Sequence, residues 1–211
     1  MIFWTNSHHA IMRRAKATLR IPMNDKPRGT SLKYCPHCAS ELRIEIPAGD
    51  HMLRYVCGTC DLVLYENPKL VVGCVAEYDG RILLCKRAIE PRLGYWTVPA
   101  GFMELGETLE QGAARETLEE ACAAVTLGTM LAAVDVPEAG QVHIFFRGSI
   151  SDGKYGVGDE SLETALFHPD EIPWDDIAFR SGQIALRQFL AQKQAGIERL
   201  HTEIALRNRR E

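Results

Sequence analysis

The chain has 211 residues, 46% hydrophobic and 25% charged, enough for one main domain with a real core and a smaller unit beside it. A formal net charge of −4 leaves no basic footprint, so nucleic acid is disfavoured as a main partner. No apolar run approaches the roughly 18 residues of a membrane-spanning helix, so no membrane partner is expected.

Residues 1–30 carry Arg13, Arg14, Lys16, Arg20, Lys26 and Arg28 against a single acid, Asp25. They read as a flexible basic tail; a transit-like segment, or a start at Met12 or Met23, would give the same composition.

Residues 31–66 read as a zinc ribbon. Cys35-Pro-His-Cys38 and Cys57-Gly-Thr-Cys60 are separated by 18 residues. Thiolates two residues apart on a tight turn reach one ion, and two such turns complete a tetrahedron. Cys35, Cys38, Cys57 and Cys60 are therefore the expected ligands of a structural Zn²⁺; iron in the same sulfur cage is the alternative. A redox reading of the CxxC pairs lacks the strand–helix context it needs. Alternation over residues 41–46 predicts a strand, 47–50 a turn, and 51–56 the returning strand. So small a sheet needs its ion to hold. Seven cysteines, an odd number, point to a reducing, cytoplasmic setting over a disulfide framework. Cys74, Cys85 and Cys122 lie in apolar stretches and are expected to be buried.

Residues 67–195 read as the main domain. Asp79-Gly80 between apolar runs predicts a hairpin of strands 70–78 and 81–87. Thr108-Leu-Glu-Gln111 is a capping-box pattern that starts a helix running to about residue 124. Strands are expected at 130–136, 142–150 and 162–167, then an amphipathic helix over 175–192. Residues 196–211 read as a polar, loosely held helical tail. Strands interrupted by one long helix and closed by another imply an α+β or three-layer sandwich.

The predicted helix 108–124 carries Glu116, Glu119 and Glu120, which share one face at i, i+3 and i+4. Glu116 and Glu120 are a like-charge i,i+4 pair, unfavourable by roughly 0.2–0.5 kcal/mol. They sit toward the helix C-terminus, where the macrodipole is already negative. An acidic stripe that works against its own helix implies a hard divalent cation, Mg²⁺ or Mn²⁺. The plainer alternative is a solvated acidic face with an Arg115–Glu119 ion pair.

This stretch resembles the Nudix hydrolase signature, G-x5-E-x7-R-E-U-x-E-E-x-G-U, in which U is a bulky aliphatic residue. Gly101, Glu107, Arg115, Glu116, Glu119 and Glu120 supply six of its seven fixed letters. Cys122 replaces the last Gly, and Thr117 and Ala123 are weak at U positions, which touches helix packing and the C-cap turn without removing a carboxylate. The resemblance implies an α/β/α sandwich with a mixed central sheet. It also implies catalytic Mg²⁺ or Mn²⁺ on Glu116, Glu119, Glu120 and the Gly101 carbonyl. Arg115 would orient the acids, and Glu107 would brace the loop–helix junction. Family members place the general base on the helix or on a later loop, and Glu160 and Glu163 are the loop candidates here. Arg87, Trp96 and Phe102 are candidate substrate contacts, with core packing the competing reading for Trp96. A homodimer is a family-level expectation.

With its ribbon, the chain is similar to zinc-ribbon Nudix proteins grouped with ADP-ribose and FAD pyrophosphatases. The matching pieces are Cys35-Pro-x-Cys38, Tyr65-Glu-Asn-Pro-Lys69, Leu84-Cys-Lys-Arg87, the signature, and Glu171-Ile-Pro173. Hydrolysis of ADP-ribose or FAD with release of AMP is the expected reaction, on a small dinucleotide or nucleoside diphosphate derivative. NADH pyrophosphatases resemble a Ser-Gln-Pro-Trp-Pro-Phe-Pro pattern that this chain lacks, so NADH is the alternative substrate. A non-catalytic nucleotide sensor on the same fold is the rival of another class.

Overall fold

The computed structural model describes residues 31–206, in two compact units divided between Tyr65 and Glu66. The basic tail and residues 207–211 lie outside the described residues.

The first unit is a three-stranded antiparallel sheet of β1 (Leu42–Glu45), β2 (Arg54–Cys57) and β3 (Val63–Leu64), in that order. Leu42 pairs with Cys57 and Glu45 with Arg54, so the two CxxC turns come to one end of the sheet. Asp50 closes the β1–β2 turn by accepting from Arg54 Nε at 2.9 Å and from the His51 and Met52 amides. At two residues, β3 is too short for period-two patterning to reveal.

The second unit is built on an eight-stranded mixed sheet. Its strands are β4 (Lys69–Tyr78), β5 (Arg81–Arg87), β6 (Trp96–Thr97), β7 (Ala100–Phe102), β8 (Val125–Val136), β9 (Gln141–Ile150), β10 (Ser161–Phe167) and β11 (His201–Ile204). The order is β10-β5-β4-β9-β8-β11, with β6 on β5 and β7 on β4. β4 runs parallel to β9, and β8 parallel to β11. Helix α1 (Leu109–Ala121) lies on one face, where Ala113 meets Val72, Ile144 and Phe146. Helix α2 (Arg180–Ala195) covers the other, with Ile184, Ala185, Leu186 and Phe189 against Val75, Leu131 and Phe145. This is the three-layer α/β/α sandwich the resemblance implied.

The β4–β5 hairpin turns at Asp79 and Gly80, both with positive φ (49° and 75°), as a two-residue I′ turn requires. β4 then leaves β5. Only Glu77 and Tyr78 pair with it, while Val71, Val72 and Gly73 pair with Phe102, Gly101 and Ala100 of β7. Glycine at 73 permits this fork, because a Cβ there would meet Pro99 O at 2.6 Å. The fork sets Gly101 against α1 and creates the site below.

Some expectations are corrected. The second helix begins at Arg180; a 3₁₀ turn at Trp174–Asp176, after Pro173, occupies the start of the predicted span. The described part of the tail after α2, residues 197–206, is not helical. It forms β11, whose His201 to Ile204 pair with Ala132 to Asp135 of β8 in a period-two burial pattern. Cys74 and Cys85 are buried, but Cys122 is exposed. It is the C-cap of α1 in the left-handed region (φ 48°), and its amide bonds Leu118 O, so its side chain turns out of the helix.

Candidate active site and the cysteine cluster

In the first unit, the sulfurs of Cys35, Cys38, Cys57 and Cys60 all lie within 4.8 Å of one another. The Cys35–Cys60, Cys38–Cys57 and Cys38–Cys60 separations are 3.7, 3.4 and 3.6 Å. A tetrahedron with Zn–S arms of 2.3 Å has edges of about 3.8 Å. The donor set and its spacing therefore fit Zn²⁺.

In the second unit, α1 starts as the sequence predicts. Thr108 Oγ1 accepts from the Gln111 amide and Gln111 Oε1 accepts from the Thr108 amide, a complete capping box. That start places Arg115 under the β7–α1 loop, where all five of its N–H groups are used. Nε and Nη2 donate to the two oxygens of Glu107 at 3.0 and 2.8 Å. Nη1 donates to Glu116 at 2.7 Å and to Glu119 at 2.9 Å, and Nη2 also reaches Phe102 O at 3.0 Å. Glu107 additionally accepts from the Glu104 amide, so it braces the loop–helix junction. Hydrogen bonding from Arg115, then from Glu104, holds the Glu107 carboxyl at about 2, well below the usual carboxylate range. The Arg115–Glu119 ion pair of the plainer alternative is therefore present, but as one bond of a larger array.

The three acids of the stripe have different surroundings. Glu119 is exposed. Glu116 is largely buried and lies against Gly101, where any Cβ would run into its carboxylate. Burial raises its pKa, against the pull of Arg115. Glu120 is only 6% exposed, and Oε2 accepts from the Ala100 amide at 2.9 Å. Burial first, and repulsion from Glu116 and Glu160 later, push its pKa up to about 7 despite that bond and nearby Arg87. Two carboxyl groups whose ionised forms burial disfavours, beside a third, are suited to a divalent cation, whose charge would favour those forms. All donors are hard oxygens, which fits Mg²⁺ or Mn²⁺ better than a soft ion.

Glu116, Glu119, Glu120 and Glu160 open onto one cleft of about 1340 Å³. Glu160 reaches it because its loop is fastened to the end of α1. Gly156 and Gly158 amides donate to Ala121 O and Glu120 O, and Ser161 Oγ donates to Glu120 O at 2.8 Å. Glycine at 158 is required, since a Cβ would strike the Glu119 carbonyl. Glu163 does not join them. One β-bulge further along β10, it pairs with Lys86 at 3.4 Å, outside the residues that line the cleft.

Arg87 and Phe102 line the cleft. Arg87 is 9% exposed, donates to Pro91 O at 2.8 Å and sits 5.0 Å from the Phe179 ring centre. Phe102 is half exposed, with Lys69 Nζ 5.4 Å from its ring centre. Trp96 is corrected to a core residue: it is buried and packs edge-on against Phe167, 4.9 Å between centroids. Ser161, which holds the Glu160 loop, and the cleft residues Gln141, His143 and Ser181 went unnoticed in sequence, where no spacing marks them.

Comparison with known proteins agrees with this geometry. The model of the NUDIX domain matches residues 67–189, and that of the Nudix N-terminal zinc ribbon matches residues 33–66. An ADP-ribose pyrophosphatase of Methanocaldococcus jannaschii is 31% identical over 114 residues, 52% of this chain and 68% of its own. An NAD-capped RNA hydrolase NudC of Vibrio atlanticus is 33% identical over 86 residues, 41% of this chain but only 30% of its own. The crystal structure of a NUDIX hydrolase from Nitrosomonas europaea superposes with a TM-score of 0.79 at 46% identity, covering 82% of this chain and 98% of that one. From its brace of Arg115 and Glu107 to its paired domain matches, the chain belongs to the Nudix hydrolase family, in the group with an N-terminal zinc ribbon.

Proposed function

We propose that the chain is a divalent-metal-dependent pyrophosphatase that cleaves the diphosphate bridge of ADP-ribose or FAD and releases AMP. The observation that carries this is the set of carboxylates on α1, with Glu120 buried, Glu116 largely so and the pKa of both raised by burial, facing a cleft beside Gly101. ADP-ribose stands first because an archaeal relative of that name shares more than half of this chain's length. With water, ADP-ribose would give AMP and ribose 5-phosphate, and FAD would give AMP and FMN.

Glu116, Glu119 and Glu120, with the Gly101 carbonyl, would hold Mg²⁺ or Mn²⁺, which screens the diphosphate and acidifies water. Arg115 keeps Glu116 and Glu119 in register by charge-assisted bonds. The Ala100 amide fixes one oxygen of Glu120. Glu160, on the loop tied to α1, is our candidate general base. Glu120 is the alternative, because a pKa of about 7 suits proton exchange near neutrality. In this reading Zn²⁺ occupies the four-cysteine cluster, and the enzyme is a cytoplasmic homodimer.

A second reading, NADH or an NAD-like end as substrate, draws on the NudC relatives. Against it, residues 133–141 lack the Ser-Gln-Pro-Trp-Pro-Phe-Pro pattern. The test is incubation of purified protein and Mg²⁺ with ADP-ribose, FAD and NADH, followed by separation of the nucleotides. AMP from ADP-ribose or FAD supports the first reading; turnover of NADH alone supports the second.

A further inference from the structure

Away from the acids, the same cleft changes character. Val71 pairs with Phe102 on β7 and with His143 on β9, so the three side chains share one face of the sheet. Neighbouring strands lie about 4.8 Å apart, which puts Phe102 and His143 roughly 10 Å from each other across Val71. This is the α2 face: Phe145, next on that side of β9, packs in the core with Ile184 and Ala185. All three residues of the row line the cleft.

His143 is 9% exposed and Ser181, on the first turn of α2, is 3% exposed. His143 Nδ1 lies 2.8 Å from Ser181 Oγ, and Nε2 lies 2.8 Å from Gln141 Oε1. Burial lowers the His143 pKa to about 4, so the ring is neutral at physiological pH. A neutral imidazole has two tautomers, and the trio accommodates both. In one, Ser181 donates to Nδ1 and Nε2–H donates to the Gln141 carbonyl, which leaves the amide NH₂ to the cleft. In the other, Nδ1–H donates to Ser181 and the turned amide donates to Nε2, which leaves the carbonyl oxygen to the cleft. Gln141 is half-buried and lines the cleft, so that remaining group is available to a ligand.

We propose that the Phe102–Val71–His143 row, with Gln141 at its edge, is a nucleobase subsite that reads an uncharged heterocycle. An aromatic ring and an aliphatic floor suit the flat face of a base. A neutral amide that can present either a donor or an acceptor suits its polar edge. The trio carries no net charge, which suits a base, and the Lys69 ammonium stands beside the row, 5.4 Å from the Phe102 ring centre. This deepens the pyrophosphatase reading by naming where the adenine end lies, and it rests on that reading only for the choice of nucleotide.

The test is calorimetric titration of the full chain, in Mg²⁺, with AMP and with ribose 5-phosphate, which lacks the base. Wild type should bind AMP the more tightly. Gln141→Leu should weaken AMP binding about fivefold to tenfold, the worth of one or two neutral hydrogen bonds, with little change for ribose 5-phosphate. Phe102→Leu, at a half-exposed side chain, should weaken AMP about tenfold in the same selective way. The subsite is overturned if either variant weakens both ligands equally, if neither changes AMP binding, or if wild type does not discriminate. Turnover of ADP-ribose by wild type tests the pyrophosphatase reading separately, so the two can fail independently.

Discussion

The cysteine cluster and the carboxylate cluster differ in how far the chain closes each one by itself. Four sulfurs converge to within 4.8 Å of one another, and no comparable group of acids does so among the described residues. Glu116 and Glu119 instead share one nitrogen of Arg115, while Glu120 is turned to the Ala100 amide. The two outcomes fit the roles proposed for each site. A structural site surrounds its ion completely, whereas a catalytic site must leave positions open for substrate and water. Open carboxylates repel each other, and here a guanidinium on the same helix offsets that repulsion.

The largest effect that would sharpen this contrast is loss of the ribbon on chelation. Structural zinc contributes roughly 10–16 kcal/mol of apparent folding free energy in comparable small units. A strong chelator should make the buried Cys35 and Cys57 reactive to a thiol reagent and remove amide-exchange protection over residues 33–66. Unchanged protection would mean that the sheet stands without an ion.

Next comes pH. The Glu120 pKa is raised from 4.5 to about 7, so the folded protein keeps a proton that the unfolded chain has released. Its contribution to stability is therefore fully present below about 4.5 and is lost as pH rises to about 7, by roughly 3 kcal/mol for the metal-free protein. A cation that replaces this proton should stabilise more as pH rises. The Tm increase produced by Mg²⁺ is expected to grow from pH 5 to pH 8 and to lose most of that growth in Glu120→Gln. A pH-independent increase would place the ion away from Glu120.

Arg115→Lys should cost about 10–100-fold in kcat/KM, the range for groups that orient metal ligands, because an ammonium cannot reproduce five directed donors. Retention of full activity would show that the acids need no orienting cation. Smallest is Cys122→Gly. A left-handed C-cap favours glycine, so this change should raise stability by about 1 kcal/mol in chemical denaturation. A loss of stability would show that Cys122 contributes more through its sulfur than its backbone costs.

What was legible in sequence follows the range of the forces involved. Zinc-ligand spacing, the capping box at Thr108 and the Asp79-Gly80 turn are local, and each took its expected form. The i, i+3, i+4 stripe correctly marked three acids on one helix. It was silent on their environments, because the burial of Glu120 depends on the β4–β7 fork at Gly73. Glu160 and Glu163 looked alike in one loop until strand register sent the second to Lys86. Trp96 was open to both a substrate-contact and a core-packing reading until its pairing beside β5 put it in the core. The His143–Gln141–Ser181 trio joins β9 to α2 across 38 residues, and no local pattern could have announced it.

The direct measurement is AMP release from ADP-ribose by the full chain with Mg²⁺, comparing wild type with a triple Glu116→Gln, Glu119→Gln, Glu120→Gln variant that still folds. Wild type should release AMP only when Mg²⁺ or Mn²⁺ is present, and the variant should fall by at least about a thousandfold, as expected when charge stabilisation at the reacting centre is removed. Equal turnover by both proteins, or turnover by wild type in excess chelator, would contradict a metal-assisted diphosphate cleavage by these carboxylates.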